Sequence, residues 1–340
     1  MTLLFDCRVL THKIYTGVEN YAQQILDHMQ GSCSINRAKP RTSNKYIAHL
    51  WAHFVLPFLE GDVIFCPANI APIMIPKSKR LVVTIHDVAF LTYPQSFSKF
   101  FRLYYQLLVP FIIRRADKII TVSQYSKQKI EKFYPSAKGK IEVIYLGNNQ
   151  KFHKLDNCPK KNQILYVGSI NERKNFKNVL KAFECISNPQ YRLLIVGNFS
   201  DNFLIDEENK VLLAFAKTQA NIEFKCDVSN DELVKLYNES KVFIFPSFYE
   251  GFGLPVLEAM ACGTPVVCSN KSSLPEVGGD AVIYCDPYNI DDIKIKIELV
   301  LYNEVLQQKL ISNGLERSQM FSWEQSAKQH IKVFEKVFNS

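Results

Sequence analysis

Apolar runs of about four to seven residues alternate along this chain with segments whose apolar positions recur every three or four residues. In the first half the runs are Thr2–Arg8, Asp62–Pro67, Leu81–Asp87, Lys118–Ser123 and Ile141–Leu146. In the second half they are Gln163–Gly168, Tyr191–Gly197, Ile222–Cys226, Val242–Pro246, Pro265–Ser269 and Ala281–Cys285. Continuous apolar runs suit strands buried on both faces, and their alternation with helices predicts parallel sheets wrapped by helices. Val18, Tyr21, Ala22, Ile25 and Met29 mark one amphipathic helix. At the end of the chain Trp323, Ala327, Ile331 and Phe334 mark another, with Ser322 and Gln325 spaced as a capping box. Gly31–Tyr46 is polar throughout and predicts no strand where a doubly wound half would place one, so the first domain is expected to be shortened. Gly147–Asn162 is polar without an apolar face and reads as a linker. The expected parts are therefore residues 1–148, residues 149–320 and a C-terminal helix over 321–340.

A length of 340 residues suits two cores. No run of about 18 uncharged apolar residues occurs, so no membrane-spanning helix is expected. Met1–Leu10 ends its short apolar run in a charge and reads as a strand and not a signal peptide. Nine cysteines are scattered without zinc spacing, and Cys7, Cys66, Cys268 and Cys285 sit in or beside apolar runs. A reducing, cytoplasmic compartment is the expectation. The net charge of +8 reads either as solubility or as attraction to an anionic partner.

Chemistry concentrates in Phe245–Ser269, FPSFYEGFGLPVLEAMACGTPVVCS. A buried strand ends, a loop carries Glu250 and Gly251-Phe252-Gly253-Leu254, and Pro255 opens a helix. Glycine lets backbone N–H groups approach a ligand, and a helix N-terminus attracts anions, so the segment predicts a diphosphate site at the carboxyl edge of a parallel sheet. Glu258 is expected in the first helical turn, facing that site, where a carboxylate can accept from ribose hydroxyls. Singly, Glu250 would pass for a loop residue and Glu258 for a helix-dipole partner; the whole segment reads as a site.

EGFGLPVLEAMACGTPVV, with Glu250 and Glu258 eight positions apart, resembles the signature of the family 4 retaining glycosyltransferases of GT-B fold. GSINERKNFKNVLKAF (Gly168–Phe183) is similar to that family's donor-phosphate segment, and TIHDVAFLTYP (Thr84–Pro94) to its His-Asp loop. TGVENYAQQIL (Thr16–Leu26) resembles its N-terminal glycine loop, and SLPEVGGDAVIYCDP (Ser273–Pro287) its late strand-turn. The resemblance runs along nearly the whole chain in family order. It implies two facing Rossmann-like domains, with the last helix crossing back to the first. It implies as catalytic residues Glu250, His86, Arg173 and Lys174. As donor-binding residues it implies Glu258, Gly251, Phe252, Gly253, Leu254, Gly168 and Gly17, although Gly17 reads equally as a helix cap. Arg173 and Lys174 would neutralise a leaving diphosphate, the electrostatic contribution that dominates such catalysis. Many members carry arginine directly after the strand glycine; here that position is Ser169, and its work passes to Arg173.

The implied reaction moves a hexose from a UDP- or GDP-sugar to a glycan or lipid-linked acceptor with retention, in polysaccharide synthesis, with neither cofactor nor metal. Base selection would rest near Phe224–Val228. Ser96–Lys118 mixes aromatics with Lys99, Arg102, Arg114 and Arg115, which suits an anionic membrane surface and a peripheral location. Pro110 is expected to split that helix into two packed pieces. The alternative is a catalytically silent GT-B scaffold. A nucleic-acid partner is not expected, since no RNP pattern, helix-turn-helix cue or basic tail occurs.

Overall fold

The computed structural model describes residues 1–11, 17–31, 33–42, 44–197 and 207–340. Within them the chain forms two units, Met1–Leu91 with Phe100–Gly147 and Ser322–Ser340, and Thr92–Lys99 with Asn148–Phe321.

The first unit is built on β1 (Thr2–Asp6), β2 (Ser34–Ala38), β3 (Val63–Cys66), β4 (Arg80–Thr84), β5 (Lys118–Thr121) and β6 (Ile141–Val143), all parallel, in the order β2-β1-β3-β4-β5-β6. Strand β2 corrects the expectation for Gly31–Tyr46: the sheet does carry a strand there, paired with β1 from Thr2↔Ser34 to Asp6↔Ala38. It escaped the pattern because it is an edge strand, buried only at Ala38, so most of its side chains meet water and tolerate Asn and Arg. The central strand β3 is fully buried and reads as a pure apolar run. Helices α1 (Gly17–His28), α2 (Lys45–Phe54), α3 (Ala89–Thr92), α4 (Lys99–Arg115) and α5 (Gln124–Phe133) follow in order. Helix α4 is a second correction. It runs unbroken through Pro110, whose ring removes one N–H and frees the carbonyl of Gln106, a residue exposed to solvent.

The second unit is built on β7 (Lys161–Val167), β8 (Arg192–Val196), β9 (Ile222–Lys225), β10 (Ser240–Phe245), β11 (Val266–Ser269) and β12 (Ile283–Cys285), again all parallel, in the order β12-β11-β10-β7-β8-β9. Its helices are α6 (Phe176–Glu184), α7 (Glu207–Ala216), α8 (Asn230–Glu239), α9 (Leu254–Ala261), α10 (Leu274–Gly278), α11 (Ile290–Leu301) and α12 (Glu304–Gln319). Ile164, Tyr166, Phe176, Leu180, Leu193 and Val242 anchor one core between this sheet and its helices. Strands β10 and β7 are neighbours at the centre, and their carboxyl ends begin the loops that carry the predicted chemistry.

The last helix, α13 (Trp323–Phe338), belongs to the first unit, where it lies against α1, β3 and β4. Ser322 caps it by accepting from the Gln325 N–H. All nine cysteines are free thiols. Among the described residues no helix is long and apolar enough to cross a membrane.

Candidate active site

In the second unit β7 ends at Val167, and Gly168 leads to a single 3-10 turn, Glu172–Lys174. Asn171 caps that turn by accepting from the Lys174 N–H at 3.1 Å, while its Nδ2 donates to Ser169 Oγ at 2.8 Å. The Ser169 hydroxyl thus holds the loop. Asn175 then adopts a left-handed conformation and donates to the carbonyls of Pro246 at 2.9 Å and Pro287 at 2.7 Å, tying the turn to the end of β10.

That tether brings two cations onto one carboxylate. Arg173 Nη1 lies 3.2 Å from Glu250 Oε2 and donates to the Tyr249 carbonyl at 2.8 Å. Lys174 Nζ lies 2.8 Å from Glu250 Oε1 and 4.8 Å from the centre of the Phe245 ring. Burial alone would push the Glu250 carboxyl up, but Lys174 and Arg173 outweigh it and hold it below its usual range. Glu250 is therefore ionised, with two partly buried cations on its two oxygens. Gly168 borders the same cluster, since a Cβ there would sit 3.8 Å from Lys174 Cδ.

The loop after Glu250 is fixed from α10. The Glu250 N–H donates to Ser272 Oγ at 3.0 Å, and the buried Ser273 hydroxyl lies within reach of the carbonyls of Glu250 at 3.0 Å and Phe252 at 2.7 Å. Gly253 caps α9 with φ +117°, a backbone angle that requires glycine, and a Cβ there would also come within 2.6 Å of Leu274 Cδ2. Leu254 and Pro255 begin the helix.

Glu258 departs from its expected place. Helix α9 starts at Leu254, so Glu258 falls in the second turn, and its Oε2 accepts from Tyr237 Oη on α8 at 3.1 Å. Burial raises its carboxyl to about 7, with the Tyr237 hydrogen bond opposing the shift. The structure thus joins Gly168, Arg173, Lys174, Glu250 and the loop Gly251–Leu254 around one ion cluster. Glu258 stands one helical turn along, in a neutral hydrogen-bonded setting.

His86 and Gly17 lie in the first unit. His86 follows β4, donates its backbone N–H to Asn69 Oδ1 at 3.0 Å, and holds the Pro67 carbonyl from Nε2 at 2.9 Å. That bond places its proton on Nε2 and leaves Nδ1 as an acceptor, and burial lowers its pKa, so the ring is neutral. The Tyr21 ring stands edge-on to it, centroids 4.8 Å apart. Behind it Tyr21 Oη lies 2.7 Å from Thr84 Oγ1 and 2.6 Å from His330 Nε2 on α13. Gly17 opens α1 at an exposed position, while Thr16, quoted in its motif, lies outside the described residues.

The sequence reading missed Asn175, Ser273, Tyr237, Tyr21, Thr84 and His330. Asn175 carried a signal, an asparagine closing an Arg-Lys run just before an amphipathic helix. His330 also carried one: it takes the buried position in the α13 stripe that was assigned to Ile331, which is only partly buried.

Residues 147–317 match the family described as Glycosyl transferases group 1, and residues 36–150 match Glycosyltransferase Family 4. The chain belongs to the group 1 glycosyltransferases. It is 31% identical over 276 residues to the O-antigen chain mannosyltransferase B of Escherichia coli, covering 76% of this chain and 71% of that one. Its fold is similar to that of the sucrose-phosphate synthase of Thermosynechococcus elongatus, with TM-score 0.77, 19% identity, and 99% of each chain covered. It is also similar to Anabaena Alr3699/HepE in complex with UDP and glucose, with TM-score 0.74, 16% identity, and 99% and 100% of the two chains covered. This glycosyltransferase has the parallel-sheet GT-B architecture that its motifs implied. Its ion cluster lies within residues 147–317.

Proposed function

We propose that this glycosyltransferase moves a hexose, mannose foremost, from a nucleoside-diphosphate sugar to a glycan or lipid-linked acceptor with retention of configuration, in polysaccharide synthesis. The observation that carries the reading is the convergence of Arg173 and Lys174 on Glu250 beside the glycine loop that opens α9. Two cations held at a strand end already occupy a low-dielectric, preorganised site, and an incoming diphosphate can take them over from the carboxylate. They supply the charge that a metal ion would otherwise bring. The name of the Escherichia coli relative supports mannose, and the UDP in the Anabaena structure supports a uridine donor over a guanosine one.

In the proposed reaction the bond from the sugar's anomeric carbon to the diphosphate oxygen breaks as the acceptor oxygen bonds to the same face of that carbon. The departing phosphate oxygen takes the acceptor proton, and the growing negative charge falls on Arg173 and Lys174. Glu250, released from the cations, turns to the hydroxyls of the transferred sugar. Glu258 accepts from the ribose hydroxyls. The roles of His86 and Gly17 are proposed on the family resemblance, and the work is placed at an anionic membrane surface.

A panel of UDP- and GDP-sugars, scored by ligand-induced thermal shift, nucleoside-diphosphate release and the anomeric configuration of the product, tests this. A retained product from one donor fits the proposal. An inverted product refutes the mechanism, and silence from every donor favours the scaffold reading.

A further inference from the structure

The first unit exposes two apolar stripes. On α2 they are Ile47, Leu50 and Phe54, spaced three and four apart, and each is more than half exposed. On α4 they are Phe100, Leu103, Leu107 and Phe111, spaced three, four and four apart and likewise more than half exposed. The His49 and Tyr104 rings meet at 5.4 Å, so the helices are neighbours and each contact residue adjoins a stripe residue in sequence. Just past α2, Phe58 is 72% exposed and extends the apolar surface. A monomer rarely leaves so many large apolar side chains in water unless they are used.

The distribution of charge says by what. No aspartate or glutamate occurs between Asp27 and Glu60, nor between Asp87 and Asp117. These two acid-free stretches contain the whole of α2, α3 and α4. Each holds four Lys or Arg residues: Arg37, Lys39, Arg41 and Lys45 in the first, Lys99, Arg102, Arg114 and Arg115 in the second. Together they account for the whole net charge of +8, and the rest of the chain is balanced. Arg37, Lys39, Arg41, Lys99 and Arg114 are exposed.

We propose that α2 and α4 form one docking face for an anionic lipid surface. Leu, Ile and Phe side chains enter the boundary between headgroups and acyl chains, and the Lys and Arg of the two acid-free stretches meet the lipid phosphates. A second copy of the chain is disfavoured as the occupant, because a self-complementary contact would oppose two faces that carry the same positive charge. Nucleic acid has no use for an apolar centre. The proposal names the partner for the acceptor side of the reading above and rests on that reading for its purpose, yet binding to lipid is measured without any donor.

The test is co-flotation of the full chain with phosphatidylcholine vesicles, with and without phosphatidylglycerol. The expected result is binding only where phosphatidylglycerol is present, reversed by high salt. Two double variants at exposed positions probe the two contributions: Arg41→Glu with Lys99→Glu, and Leu50→Gln with Leu107→Gln. Each is expected to weaken vesicle binding by about tenfold or more while leaving the thermal shift caused by a nucleoside diphosphate unchanged. Equal binding to neutral vesicles, insensitivity to salt, or full binding by both variants overturns the proposal. So does concentration-dependent dimerisation that the Leu50/Leu107 variant abolishes, which assigns the face to a second copy. Vesicle binding without any nucleotide binding would leave this face standing and remove the transferase reading instead.

Discussion

Tyr21 Oη lies 2.6 Å from His330 Nε2, which joins the first helix of the chain to its last, 309 positions apart, in the buried centre of the first unit. His330 Nδ1 donates to the Ser326 carbonyl at 2.7 Å, so Nε2 is the acceptor and the tyrosine donates to it. The Tyr21 ring in turn stands against His86. Burial lowers the His330 pKa from 6.5 to about 4. The unfolded chain therefore holds a proton between those values that the folded chain refuses. Stability is at its plateau above pH 6.5 and declines as the pH falls toward 4, by about 3 kcal/mol in all. Urea denaturation at acid and neutral pH should show that decline in the native chain and a flatter profile in His330→Asn. Parallel profiles would exclude His330 as the source.

Glu250 pairs with two partly buried cations, so Glu250→Gln removes the one carboxylate that both contact. The expected cost is about 1–3 kcal/mol of unliganded stability. A nucleoside diphosphate should restore much of it, giving a larger thermal shift than in the native protein. Turnover should fall by about a hundredfold or more while the nucleotide still binds. Loss of nucleotide binding in this variant would contradict the assignment of Arg173 and Lys174 to the diphosphate.

Glu258, raised to about 7 by burial, is protonated below that pH and ionised above it. Only the ionised form accepts hydrogen bonds on both oxygens without competing as a donor. Nucleotide affinity should therefore rise by roughly fivefold to tenfold from about pH 6 to about pH 8. In Glu258→Gln it should be weak and flat across that range. Calorimetric titration at several pH values reads this directly, and a native profile without slope would detach Glu258 from the ribose.

Two glycines predict opposite outcomes. A Cβ on Gly147 would lie 2.1 Å from the Trp323 backbone N and 2.6 Å from the Ser322 carbonyl carbon, so Gly147→Ala must displace the start of α13. A loss of about 1–3 kcal/mol and faster amide exchange along α13 are expected. A Cβ on Gly17 meets nothing within 4 Å. Gly17→Ala should keep native stability, and a fall in its turnover then reports on ligand approach. Full activity would reduce Gly17 to a helix start.

The two-sheet plan and the glycine loop before α9 were legible in the sequence because each rests on local chemistry. Strands such as Val63–Cys66 are buried on both faces and must be apolar at every position. Gly253 must be glycine for its own backbone angle. Strand β2 was illegible because an edge position relaxes the demand for apolar residues, and continuous α4 because the carbonyl that Pro110 frees belongs to an exposed residue, Gln106. The ion triad was foreseen as a set of residue types, but the sequence assigned the cations to a ligand and could not say that Glu250 holds both.

The sequence by itself determined the buried strands, which loops carry charge and glycine, and which family the motifs resemble. Only the tertiary structure decided the partners: Arg173 and Lys174 with Glu250, Glu258 with Tyr237, Tyr21 with His330, and α2 beside α4. The physical reason is range. Backbone angles and apolar periodicity are written within a few residues, whereas a hydrogen bond or ion pair depends on where folding brings two distant side chains and on how much water is left between them.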